Sequence, residues 1–220
     1  MDYAQQVDAV SRSVFKDVVT LANGKPARTV CLRQNFSAPV QALWDITTQP
    51  ERLAVWFAPV SGDLRMNGRY SITGNASGTV TECHPPQGFA LSWELGEAVS
   101  AVRVNLKELQ GHGEGETTTT ELELLHTFPV DAHWNKYGPG AGGVGWDMTL
   151  VGLALHLAGL PKPTEEEWST SKEAVSFTQR ASERWRDAAI EGGEDAKWAR
   201  EAGDRTTAFY VPGWEPGSSK

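Results

Sequence analysis

Trp146-Asp147-Met148-Thr149-Leu150-Val151-Gly152-Leu153-Ala154-Leu155-His156-Leu157-Ala158-Gly159-Leu160 is the stretch on which the fold turns. At 3.6 residues per turn, Trp146, Leu150, Leu153 and Leu157 make one apolar face, and Met148, Val151 and Leu155 make a second. A helix apolar on two sides must be covered on two sides. The flanking sequence names the covers: a series of strands before it and charged amphipathic helices after it.

From Arg28 to about His126 the period is two. Thr29 to Phe36 reads as a first strand. Ser37-Ala38-Pro39 opens a short helix with Val40, Leu43 and Trp44 inward, and a second short helix covers Pro50 to Trp56. Strand-like segments follow at Arg69–Thr73, Gly78–His84, Phe89–Glu94, Val99–Leu109 and Thr117–His126. Gly74-Asn75, Pro85-Pro86-Gln87-Gly88 and Gly111-His112-Gly113-Glu114-Gly115 are the turns between them. Strands joined by such short turns pair antiparallel.

Before the strands, Tyr3, Val7, Val10, Val14, Val18 and Leu21 fall at threes and fours, which predicts one amphipathic helix within residues 1–24. After Leu160, Thr164/Glu167 and Thr170/Glu173 are spaced as capping boxes. Val175, Ala181, Trp185 and Ala188 stripe one helix that stops at Gly192-Gly193; Trp198, Ala202 and Phe209 stripe another that stops before Pro212. The division is therefore an N-terminal helix (1–24), a main domain (25–162), a helical extension packed on the same core (163–212) and a flexible tail (213–220).

The whole chain has 220 residues, enough to bury roughly 70% of its unfolded surface. With 40% apolar and 22% charged residues the mixture is globular, not disordered. The net charge of −8, without a basic patch, argues against nucleic acid as a partner. Cys31 and Cys83 lie in apolar alternating stretches and read as reduced, buried thiols. Neither a signal-peptide layout nor a membrane-length apolar run occurs, so no membrane insertion and a cytoplasmic location are expected. Nine tryptophans point to an aromatic core or an aromatic-lined cavity.

The residues are more specific than the order of elements. Asn35-Phe36-Ser37-Ala38-Pro39-Val40 leads into Leu43-Trp44-Asp45-Ile46-Thr47, then Pro50-Glu51-Arg52-Leu53 and Trp56-Phe57-Ala58-Pro59. Asp63-Leu64-Arg65, Gly78-Thr79-Val80-Thr81-Glu82, Leu91-Ser92-Trp93, His126 and Gly145-Trp146-Asp147 follow. Over about residues 28–160 the chain resembles the START-related SRPBCC (Bet v 1-like) superfamily, in its AHSA branch, named for activators of a heat-shock chaperone ATPase. The resemblance implies an α+β helix-grip fold, a curved antiparallel sheet around the long C-terminal helix. It also implies a deep, mainly apolar cavity for lipids, hormones or polyketides. The co-chaperone role of that branch belongs to chains with a further chaperone-binding domain, and nothing here resembles one.

On this frame His126 shares the inward face of its strand with Leu122 and Leu124. It is a proton acceptor or ligand anchor, or else a satisfied structural histidine. Glu82 shares a face with Val80 if the strand register holds; a carboxylate there would have a raised pKa. Tyr70 completes the catalytic candidates. Trp56, Phe57, Tyr70, Glu82, Trp93, His126, Trp146, Leu150 and Leu153 are the expected cavity lining, and Trp44 is expected in the core. Gly138-Pro139-Gly140-Ala141-Gly142-Gly143 matches the dinucleotide pattern GxGxxG. It follows antiparallel strands, however, and Leu160 and Pro161 stand where the acidic residue belongs, so it is excluded. Gly138–Gly145 reads instead as a loop that moves with His133, Trp134 and Tyr137 as a rim. The histidines and cysteines show no ligand spacing, so no metal and no cofactor is expected.

The resulting expectation is a non-enzymatic module binding a small apolar or aromatic molecule. One alternative is a polyketide aromatase/cyclase-like acid–base enzyme using His126, Glu82 or Tyr70. Another is a chaperone regulator or homodimer contacting through the appended helices.

Overall fold

A computed structural model describes residues 1–109 and 118–217. The turn expected at Gly111–Gly115, Thr117 and the end of the tail from residue 218 lie outside the described residues. The chain divides into two compact units: Val19–Pro129, and a second built from Met1–Val18 with Val130–Lys220.

The first unit is an antiparallel sheet with two short helices. Its elements are β2 (Val19–Thr20), β3 (Pro26–Phe36), α2 (Val40–Thr48), α3 (Pro50–Trp56), β4 (Val60–Gly62), β5 (Arg69–Ile72), β6 (Ser77–His84), β7 (Gly88–Leu95), β8 (Ala98–Leu109) and β9 (Thr119–Pro129). The neighbours run β3-β9-β8-β7-β6-β5-β4, with β2 on β3. The meander follows chain order except at its start, where β3 pairs with the last strand β9, Val30 facing His126 and Leu32 facing Leu124. Alternation sends Val30, Leu32, Val102, Val104, Leu106, Leu122 and Leu124 to one buried face, and these are the apolar core of the sheet. Hydrogen bonds fasten the two helices within this unit. Thr120 Oγ1 donates to Ala38 O at 2.7 Å just ahead of α2, and Trp56 Nε1 donates to Ile46 O at 3.1 Å. Trp44, expected in the core, is only partly buried and meets Phe89 edge-on at 6.1 Å.

The second unit holds α1 (Tyr3–Asp8), β1 (Ser11–Val14), α4 (Ala132–Tyr137), α5 (Gly140–Leu157), α6 (Glu165–Ser169), α7 (Lys172–Glu191) and α8 (Ala196–Tyr210). The decisive stretch is helical as read, and Leu150, Val151, Leu153 and Leu155 are all buried.

Two expectations are corrected here. The N-terminal stretch is not one long helix. Asp2 caps α1, which ends at Asp8, and Ser11–Val14 is a strand. Arg12 Nη1 donates to Val7 O and Val10 O at 3.0 and 2.8 Å, taking up the carbonyls that a continuing helix would have used. Val18, counted on the inner stripe, is 60% exposed. The glycine run Gly138–Gly145 is not a loop beyond its first two residues, because α5 begins at Gly140. Its glycines serve close helix packing. A Cβ on Gly143 would lie 2.2 Å from Trp185 Cε2, and one on Gly140 would lie 2.8 Å from Thr206 Oγ1.

The extension packs on α5, with Ala181, Trp185 and Ala188 of α7 and Ala202 of α8 buried. Thr164 and Glu167 form a capping box, whereas the cap of α7 is Ser171, one residue later than the Thr170/Glu173 spacing suggests. Phe209 is 52% exposed, so it is not on the buried stripe of α8.

Candidate functional site

Alternation on four neighbouring strands gathers the site of the sheet unit. Register places Arg28 opposite Phe128, Val30 and Val102 opposite His126, and Trp93 opposite Ser100, all on one face. His126 is buried, its ring stacked on Phe128 at 3.6 Å and met edge-on by Trp93 at 5.9 Å. Its Nε2 lies 2.8 Å from Ser100 Oγ, and Ser100 Oγ donates to Trp93 O at 3.2 Å. Burial pushes the His126 pKa down to about 3, so the ring is neutral at physiological pH. The arrangement is a polar point inside an apolar, aromatic surround.

The other sequence candidates separate. Tyr70 is buried, but its hydroxyl donates to Ser92 O at 2.8 Å, and burial pushes its pKa well above the usual phenol range. A phenol so occupied is a poor acid or base at neutral pH. The ring lies across Gly78, where an added Cβ would come 1.9 Å from Ser92 O. Glu82 is corrected outright. The register shifts between Val80 and Glu82, a bulge that turns Glu82 away from the face of Val80 and opposite Ala90. There it pairs with Arg103, whose hydrogen bonds hold its carboxyl below the usual range. It is neither inward-facing nor raised in pKa. Trp56 and Trp93 are buried, and Phe57 packs beside Trp56 at 5.7 Å.

Trp146, Leu150 and Leu153 lie on α5 in the helical unit, where Leu150 and Leu153 are buried and Trp146 is partly so. His133, Trp134 and Tyr137, expected on a moving rim, form the short helix α4, with Trp134 buried. The end of α4 is clasped by α8. Trp198 Nε1 donates to Asn135 O, Arg205 Nε to Lys136 O and Thr206 Oγ1 to Tyr137 O, at 3.0, 2.6 and 3.1 Å. Three final carbonyls of a helix held in this way do not describe a loose loop. The crevice beside it, about 10 Å³ among Tyr137, Ser182, Trp185 and Gly203, has room for one water and no organic ligand.

Three residues that matter escaped the sequence reading. Ser100 alternates with Val102 and Val104, which was signal enough for its inward face. Asp147 is a lone carboxylate on a helix otherwise apolar on two sides, which demands a partner. That partner is Arg12, whose Nε and Nη2 reach the carboxylate at 2.7–3.2 Å, while Trp185 Nε1 donates to it at 2.9 Å. Burial pushes the Asp147 carboxyl up, against the pull of these donors. Cys31 is buried as expected; Cys83 is half-exposed, which the alternation did not indicate. Among the described residues no cluster of three His, Cys, Asp or Glu is placed to hold a metal ion, and no helix is long and apolar enough to cross a membrane.

An antiparallel sheet meander that includes two short helices, with a long helix after its last strand, is the pattern of the helix-grip class of α+β proteins. The chain belongs to the family of Activator of Hsp90 ATPase homolog 1-like proteins, whose family model matches residues 37–158. It is similar to CalU16 from Micromonospora echinospora. The crystal structure of that protein is 31% identical with a TM-score of 0.65, covering 82% of this chain and 98% of that one. The solution structure gives 30% identity and a TM-score of 0.69, covering 84% and 97%. EF2215 from Enterococcus faecalis, a conserved protein of unknown function, shares the fold at 14% identity and a TM-score of 0.56, covering 87% of this chain and 96% of that one. No curated protein matches the chain.

Proposed function

We propose that this chain binds a small apolar or aromatic molecule on the face of the sheet that carries Trp93, Ser100, His126 and Phe128. The observation that carries the reading is His126: a neutral, hydrogen-bonded imidazole among aromatic rings and out of bulk water. In such surroundings one well-placed hydrogen bond orients a ligand, while the rings supply contact area. A binder fits these groups better than an acid–base enzyme. An imidazole with a pKa of about 3 is a weak base at neutral pH, Tyr70 is occupied, and Glu82 points elsewhere.

Native mass spectrometry of freshly purified protein, followed by titration with 2-naphthol monitored through tryptophan fluorescence, tests this. Expected are a co-purified mass or saturable binding, weakened by His126→Ala. An empty spectrum together with a linear, non-saturating titration defeats the proposal.

A further inference from the structure

Ser182 stands out in the contact between α7 and α8. Ala189 of α7 and Ala199 and Ala202 of α8 line the same crevice, and all three are buried. Ser182 is 1% exposed, and among the described residues its hydroxyl oxygen has no hydrogen-bond partner. A hydroxyl buried in that way loses its water and makes no bond to replace it. Alanine at this position would avoid the penalty and favours a helix more.

The crevice supplies what the hydroxyl lacks. Its volume, about 10 Å³, suits a single water. Gly140, the first residue of α5, lines it as well, and no side chain caps that helix, whose N-cap is Pro139. The N–H groups of a first helical turn have no intrahelical carbonyl to bond. The lining thus brings together a hydroxyl of α7 and the opening residue of α5. Arg186, a cation in the same lining, argues against a metal ion, and the volume argues against any ligand containing carbon.

We infer that the crevice is an internal water site: one ordered water bonds Ser182 Oγ and the backbone at the start of α5, and so bridges α5 to α7. A water donates and accepts at once, so it can serve a hydroxyl and a helix N–H together. Three residues further along α5, Trp185 comes too close to Gly143 to admit a Cβ. The contact of these two helices is therefore dry at Gly143 and wet at Gly140. A serine suits the wet end, as an alanine would suit a dry one.

A crystal structure of the full chain that shows ordered water tests this, with Ser182→Ala beside the wild type. Expected is one density peak about 2.8 Å from Ser182 Oγ in the wild type, missing from Ser182→Ala. A wild-type crevice without density, or a Ser182 hydroxyl turned onto a protein carbonyl, overturns the inference. Urea unfolding gives an independent reading. Ser176 is exposed on the same helix, so Ser176→Ala carries the gain in helix propensity without touching the crevice. Relative to that control, Ser182→Ala should raise the unfolding constant about fivefold, the loss expected of one buried hydrogen bond. A Ser182→Ala protein as stable as the control, or more stable, describes a dry hydroxyl and overturns the inference.

Discussion

Asp147 and His126 are both titratable groups sunk in apolar surroundings, one in the helical unit and one in the sheet, and they are satisfied in opposite ways. Asp147 is met from two sides by Arg12 and Trp185, so its oxygens are committed to protein donors 135 and 38 residues away in sequence. Among the groups around His126 are the Ser100 hydroxyl and the rings of Trp93 and Phe128, and burial keeps the imidazole neutral. The first arrangement ties α5 to the N-terminal segment and to α7. The second keeps an uncharged imidazole inside the sheet unit. A buried ion pair is therefore the structural cluster here, and the neutral ring is the group on which the proposed binding function rests.

The largest effects should fall on the ion pair. Arg12→Met leaves Asp147 buried without its counter-charge and should cost about 3–5 kcal/mol in urea unfolding. Adding Asp147→Leu should recover much of that loss, because the pair itself contributes less than its broken half costs. If Arg12→Met costs under about 1 kcal/mol, the cluster is not what holds the N-terminal segment, and the contrast drawn above fails.

A second test probes the same helix without touching charge. Gly143→Ala would push a Cβ against the buried Trp185 ring and should cost about 1–3 kcal/mol. Gly145→Ala meets only Tyr210 Oη at 3.2 Å, and the gain in helix propensity of up to about 1 kcal/mol should leave it near neutral. Thermal unfolding of the two variants side by side reads the difference. Equal losses would mean that the glycines serve something other than the approach of α7.

How much of this was legible follows from range. The strands β5 to β9 were readable because alternation and turn residues are local signals, and they placed His126 correctly on the buried face. Glu82 was lost because a one-residue bulge reverses a face, and nothing in Thr81-Glu82-Cys83 announces it. The glycine run misled because low helix propensity was overridden by the tryptophan that needs the space, 42 residues further along. The valines of the first 21 residues fit a helical period by spacing alone, while the strand there is fixed by Arg12 reaching Asp147. No local pattern reports a contact of that length. Ser100 and Asp147 themselves were within reach, one by alternation and the other as a charge on an apolar helix.

The histidine should show itself in acid. In the unfolded chain imidazole titrates near 6.5, and in the fold near 3. Between those values the unfolded state holds more protons, so stability should fall as pH drops, by about 1.4 kcal/mol per unit. Above about 6.5 this contribution is complete and flat. His126→Gln should remove that slope. Because Asp147 is common to both proteins, its opposing titration cancels in the difference, and unfolding measured from pH 7 down to 4 isolates the ring. Parallel curves would mean that His126 charges in the fold, which would also return it to the list of acids and bases.

Glu82 gives the smallest expected effect and the sharpest check on which face is the functional one. Its pair with Arg103 is partly exposed on both sides, and such pairs are worth about 0–1 kcal/mol, less in salt. Glu82→Gln should therefore change stability by no more than that, and 2-naphthol binding not at all. A clear loss of binding would place a carboxylate in the ligand site after all. It would mean that in solution the bulge at Val80/Glu82 yields to the uninterrupted register, and that the acidic residue, not the neutral ring, anchors the ligand.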